Sequence, residues 1–236
     1  LFISENPVDY SFLFAMEDVF GFVLAGGKSS RMGIDKAFLE IHGKTFLEHA
    51  VVKLERFCGR VFVVLNENQK EVALSLGVER IFDIFKGRGA LGGIHASFRN
   101  CSSRFAFILA VDLPLVKDKT IGDLIKIIRD NPKVDAVVPI EFKRNFCEEK
   151  LKQGRRSVEF GQWKGEFGQQ SNTFRLQPLC AVYRVENCLP IVEKVLLEKK
   201  SASVRDFLGL ISVRFEKLVE EELFNVNTQE DYRKVL

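Results

Sequence analysis

Residues Leu24 to Lys36 read Leu-Ala-Gly-Gly-Lys-Ser-Ser-Arg-Met-Gly-Ile-Asp-Lys and follow directly on the apolar run Val19 to Val23. The run has the β-branched and aromatic content of a buried strand and is too short for an ordinary helix. Gly26 and Gly27 let the backbone behind it turn sharply and come close to a ligand. Successive N–H groups in such a loop form an anion-binding concavity. Lys28, Arg31 and Lys36 surround it with cations, and the guanidinium of Arg31 forks onto a phosphate as an ammonium does not. A polyphosphate ligand fits this stretch; a tight connection with bystander cations is the competing reading. Two phosphate motifs are excluded. A Walker loop needs Gly, four residues, then Gly-Lys-Ser/Thr, but Phe22 stands at the first position before Gly27-Lys28-Ser29, and Phe38 before Gly43-Lys44-Thr45. The dinucleotide pattern G-x-G-x-x-G is absent from the loop as well.

Apolar spacing behind this loop predicts a helix over Phe46 to Phe57 and a strand over Arg60 to Leu65. A helix over Gln69 to Leu76, a short strand over Arg80 to Ile84, and a glycine-rich segment Gly87 to Ile94 that opens another helix follow. Phe105 to Val111 is an unbroken apolar run, which puts it at the centre of a sheet with both faces covered. It leads into Asp112-Leu113-Pro114, a helix over Ile121 to Arg129 and a strand over Ala136 to Pro139. From Glu141 to Gln177 the period is lost, and an irregular insertion, a lid or a hairpin, is expected there. Regular structure returns as a strand over Pro178 to Arg184, a helix over Val185 to Leu197, and a short helix with capping-box spacing from Ser203. A strand over Ile211 to Phe215 and a terminal helix capped by Thr228 and Asp231 complete the chain. Alternating strands and helices imply an α/β fold with right-handed crossovers and a mainly parallel central sheet. Ligands of such sheets lie beyond the carboxyl ends of the strands. The glycine-rich loop, Asn66, Asp83 and Asp112 all fall at such ends.

At 236 residues the chain suits one α/β domain over residues 16–236, interrupted by the 141–177 insertion. A net charge of +3 is too small to argue for nucleic acid, and no stretch reaches the roughly 18 apolar residues of a membrane span. Five cysteines without a C-x-x-C pair fit reduced thiols in a cytoplasmic protein. Cys101 and Cys180 lie among apolar neighbours and read as core. His42, His49 and His95 have no partners at metal or triad spacing. Residues 1–15 carry no basic n-region, and with Met16 just before the first strand they read as an upstream extension or an expression artefact.

A reaction at a bound polyphosphate needs alignment and charge compensation at the reacting phosphate more than covalent help from protein. Asp112 is the best-placed carboxylate, because Pro114 limits how the turn behind it can bend. A hard oxygen at a sheet edge suits Mg²⁺, which takes one or two carboxylates plus substrate phosphates. Capping the next turn is the alternative role for Asp112, as strand-end capping is for Asn66 and Asp83. A cap and turn before the last helix is the alternative for Asn225 and Asn227.

Leu24-Ala25-Gly26-Gly27, Arg31-Met32-Gly33 and Asp35-Lys36 match without a gap the signature of the molybdenum cofactor guanylyltransferases (the MobA family), which this chain resembles. The likeness continues through Pro178 to Tyr183, Val204 to Leu208 and Asn225 to Asp231, and leaves out the 141–177 segment. It implies a three-layer, Rossmann-like nucleotidyltransferase fold. It also implies Mg²⁺-dependent transfer of GMP from GTP to the molybdopterin-type molybdenum cofactor, with release of pyrophosphate and later delivery to acceptor molybdoenzymes. By the same resemblance Leu24, Ala25, Gly26, Gly27, Lys36, Asn66, Asp83 and Asp112 bind the nucleotide, and Asp112 holds Mg²⁺. Lys36 touches the reacting phosphate, Arg31 draws off pyrophosphate, and Asn225 and Asn227 serve the pterin half. Ala90 replaces the proline of the family's Gly-Pro-Leu-x-Gly, which puts guanine preference in more doubt than nucleotide binding. The rival readings are a cytidylyltransferase on the same pterin, a group that tends toward Leu-Ala-Ala-Gly, and a non-catalytic protein that only sequesters cofactor or nucleotide.

Overall fold

Val19–Leu24 (β1) lies inside a sheet because both of its faces are apolar, and every residue of it is buried. The computed structural model describes residues 16–26, 35–66, 77–85, 87–142, 174–199, 201–218 and 220–236. The expected extension at 1–15, the helix over Gln69 to Leu76, Gly27 and Arg31 lie outside them. After β1 come two short strands, Glu40–Ile41 (β2) and Lys44–Thr45 (β3), paired as a hairpin. Next are Phe46–Glu55 (α1), Arg60–Leu65 (β4), Glu79–Phe82 (β5), Gly89–Arg99 (α2), Phe105–Ala110 (β6) and Asp118–Asp130 (α3). Ala136–Phe142 (β7), Phe174–Leu176 (β8), Cys180–Arg184 (β9), Val185–Glu198 (α4), Val204–Leu208 (α5), Val213–Lys217 (β10) and Gln229–Arg233 (α6) complete the described elements.

The main sheet runs β10-β7-β9-β6-β1-β4-β5, with β8 paired to β7. β1 pairs in parallel with both β4 and β6. The chain therefore passes from β1 to one side and later returns to the other, which makes the β1/β6 boundary a topological switch point. β9 runs antiparallel to β6 and to β7, a reversal that apolar periodicity does not encode. Period-2 alternation splits the core into two layers. Phe105, Phe107 and Leu109 meet Leu47, Val51 and Leu54 of α1 and Ile121, Leu124 and Ile128 of α3 on one face. Ala106 and Ile108 meet Leu91, Ile94 and Phe98 of α2 and Val192 and Leu196 of α4 on the other. Helices thus cover both faces, and the expected three-layer α/β architecture is the one observed. Each large apolar side chain so buried contributes about 1.5–3 kcal/mol.

Several expected boundaries move by a few residues, three of them as follows. The strand expected through Ile84 stops at Phe82, because Asp83 Oδ1 accepts from the Phe85 N–H at 2.8 Å and starts a turn. Ile84 is left 70 % exposed. The late strand begins at Val213, since the Asp135 carboxylate holds the Ser212 N–H at 2.8 Å just before it. The segment expected to be irregular from Glu141 is regular at both ends: β7 runs on through Phe142, and β8 returns antiparallel to it.

Candidate active site

Four side chains from three separate stretches of the sequence meet beyond the carboxyl ends of β1 and β6. Asp35 caps a 3-10 turn, Lys36–Phe38, by accepting from the Ala37 N–H at 3.1 Å. That cap directs Lys36 back across the edge, where its Nζ donates to Asp112 Oδ2 at 3.3 Å and to Asn227 Oδ1 at 2.6 Å. Asn225 Nδ2 donates to the other carboxylate oxygen, Asp112 Oδ1, at 3.2 Å. Between the two asparagines, the Val226 N–H donates to the Asp112 carbonyl at 3.0 Å. Asp112 is thus held through backbone and side chain together.

The C-terminal connection is placed by its own anchors. Thr228 and Asp231 form the expected capping box of α6, and the same Asp231 carboxylate accepts from the Asn227 N–H at 3.0 Å. Upstream, Thr120 hydrogen-bonds to Glu222, which also pairs with Lys117 at 3.1 Å. Lys53 of α1 donates to the Pro114 carbonyl at 2.6 Å and fixes the far end of the Asp112-Leu113-Pro114 turn. Burial lowers the pKa of this lysine.

A second group of predicted residues lines the same edge at β1, β4 and β5. The Ala25 and Gly26 N–H groups donate to the Val64 carbonyl at 3.1 and 3.2 Å. A Cβ on Gly26 would stand 3.1 Å from Asn66 Oδ1, so glycine lets the loop lie against the Asn66 side chain. Asp83 reaches from the end of β5 over the first turns of α2, where a Cβ on Gly92 would collide with Asp83 Oδ2. Desolvation raises the Asp83 pKa, opposed by its bond from the Phe85 N–H and by nearby His95. Gly92→Ala is expected to expel that carboxylate and lower stability by about 1 kcal/mol through the lost Phe85 bond, measured by denaturant unfolding. With neighbouring strands about 4.8 Å apart, Asp83 at β5 and Asp112 at β6 are roughly 14 Å from each other across the edge.

Gln177 was not singled out from sequence. It is buried, and its Nε2 donates to Asn225 Oδ1 at 2.6 Å and to the Leu223 carbonyl at 3.0 Å. The histidines stay outside this chemistry: His49 Nε2 meets the Ile41 carbonyl at 2.7 Å, and buried His95 meets Glu193 at 3.3 Å. His42 sits in the β2–β3 turn with φ 50°. Cys180 is fully buried, its thiol pushed up to about 12 by desolvation. Cys101 is only partly buried, and desolvation pushes its thiol up to about 11. Both stay protonated at neutral pH, unlike a nucleophilic thiolate.

A lysine and a carboxylate held together at the switch point of an α/β sheet, beside a glycine turn, mark the place where such sheets bind their ligands. The MobA-like NTP transferase domain matches residues 21–213. The chain belongs to that family and is a nucleotidyltransferase. It is 30% identical over 222 residues to a probable molybdenum cofactor guanylyltransferase of Carboxydothermus hydrogenoformans, covering 91% of this chain and 93% of that one. It is 29% identical over 227 residues to the molybdenum cofactor guanylyltransferase of Desulfosudis oleivorans, covering 93% and 95%. Among solved structures it resembles molybdopterin-guanine dinucleotide biosynthesis protein A of Archaeoglobus fulgidus, with TM-score 0.66, 22% identity and coverage of 92% and 96%. A 4-diphosphocytidyl-2C-methyl-D-erythritol synthase of Anaerococcus prevotii gives TM-score 0.67 at 12% identity, covering 93% and 94%. At these identities the structural likeness bears on the fold alone. No helix among the described residues is long and apolar enough to cross a membrane.

Proposed function

We infer that the enzyme transfers GMP from GTP to a molybdopterin-type cofactor and releases pyrophosphate. The observation that carries this reading is the Lys36–Asp112–Asn225–Asn227 cluster. It brings together a cation and a carboxylate, the pair that the α-phosphate of a nucleotide lying along the edge would need. Base-side groups stand away from it along the edge, Asn66 at the end of β4 by roughly 10 Å and Asp83 at the end of β5 by roughly 14 Å, room for sugar and phosphates between. Asn66 offers both a donor and an acceptor, and Asp83 offers acceptors. That pattern complements the guanine edge, with one acceptor and two donor groups, better than the cytosine edge. The names of the relatives point to the same base and the same pterin.

The donor set also fits Mg²⁺. An ionised carboxylate has about four lone-pair sites, and Asn225 and Lys36 engage one on each Asp112 oxygen. Among the described residues no group of three or more acidic, His or Cys side chains could hold a metal alone, so a cation here would share its shell with substrate phosphates. Bound there, it would compensate charge on the reacting phosphate. Asp112 orients, Lys36 stabilises the negative charge that develops at the α-phosphate, and Arg31 receives the leaving pyrophosphate. The pterin phosphate attacks in line from the side of Asn225 and Asn227.

Thermal unfolding with GTP, CTP, ATP or GDP, each with and without Mg²⁺, tests the nucleotide half. A ligand of the folded state adds about 2.7 kcal/mol at a hundredfold excess over its Kd. A shift selective for GTP is expected. A shift selective for CTP would replace this reading with the cytidylyl alternative, and no shift with any nucleotide would contradict it.

A further inference from the structure

We propose that Gln177 is a positioning residue of the reacting centre, the remote end of a two-amide relay that holds Asp112 through Asn225. This deepens the reading of Asp112 given above and rests on it. Gln177 is 5 % exposed and lies in the connection between β8 and β9. Its backbone is held on both sides: its N–H donates to the Pro139 carbonyl at 2.9 Å, and its carbonyl accepts from the Cys180 N–H at 3.1 Å. The side chain therefore projects from a fixed base.

The relay has one hydrogen-bonding solution. At one end stands the Leu223 carbonyl and at the other the ionised Asp112 carboxylate, and both can only accept. Gln177 must turn its NH₂ toward Leu223, and its second N–H then falls on Asn225 Oδ1. Asn225 is left with its NH₂ facing Asp112 Oδ1. Flipping either amide sets two acceptors against each other in a part-buried site, where an unpaired polar group is costly. Gln177 thus holds the oxygen side of Asn225 while the carboxylate takes its NH₂, and one Asp112 oxygen is pinned while the other stays with Lys36. Gln177 touches no reacting atom. It acts through Asn225.

A double-mutant cycle on Gln177→Met and Asn225→Ala tests this, with Mn²⁺ binding in the presence of GTP, followed by electron paramagnetic resonance, as the readout. Met keeps the volume and removes both donors, and denaturant unfolding checks that each variant is folded. Loss of an outer partner to a metal-holding carboxylate weakens metal binding about tenfold or more. That loss is expected for Gln177→Met, with no further loss when it is added to Asn225→Ala, because both substitutions break one relay. Wild-type binding in folded Gln177→Met, or losses that multiply in the double variant, would overturn the proposal. Failure of the wild-type protein to bind Mn²⁺ with GTP would instead contradict the proposed function. The relay is then read from the Asn225 side-chain ¹⁵N amide resonance, which Gln177→Met shifts if the relay exists and leaves in place if it does not.

Discussion

Asp112→Asn is expected to lower kcat for nucleotidyl transfer by about 10³-fold, the upper range for loss of one preorganised charge-stabilising group. The substitution keeps the size of the side chain and one oxygen for Asn225. It removes the negative charge that faces Lys36 and that would hold a cation. The Lys36–Asp112 pair is partly exposed, at 18% and 21% for the two side chains, so stability should change by no more than about 1 kcal/mol. A folded variant with near wild-type unfolding and lost turnover would separate chemistry from folding. Wild-type turnover in Asp112→Asn would remove the carboxylate from the mechanism.

Lys36→Met should have an effect of similar size with a different signature. An interaction made chiefly in the transition state lowers kcat with little change in KM. A cation on a transferring phosphoryl group is worth about 10³-fold or more. Steady-state rates against GTP concentration give both constants, and a rise in KM with kcat intact would reduce Lys36 to a ground-state binding residue. The variant also leaves Asn227 Oδ1 without the donor it has at 2.6 Å. Weaker handling of the acceptor substrate should therefore accompany the loss.

The part of this site written in local sequence was legible. Gly26, Lys36 and Asp112 each follow an apolar strand or its turn, and anion binding at strand ends restricts which residue types fit there. The Thr228–Asp231 box was readable for the same reason, because a cap is settled within one helical turn. What escaped depends on distance along the chain. Asp112 and Asn225 are 113 residues apart, and nothing in either neighbourhood announces the other. Gln177 ends the stretch where periodicity fails, and its two partners lie 46 and 48 residues downstream. The direction of β9 was hidden as well, since an apolar run reports burial and not the sense in which a strand pairs. The β2–β3 hairpin has strands of only two residues each, too short for any period to show.

The most direct test is release of pyrophosphate and transfer of label from α-³²P-labelled GTP to molybdopterin-bound molybdenum, with Mg²⁺ present. One pyrophosphate for each GMP transferred is expected, with CTP and ATP far less effective. Label that stays in GTP in the presence of pterin and Mg²⁺, or transfer that occurs only when α-³²P-labelled CTP replaces GTP, would contradict the assignment of guanylyl transfer to this site.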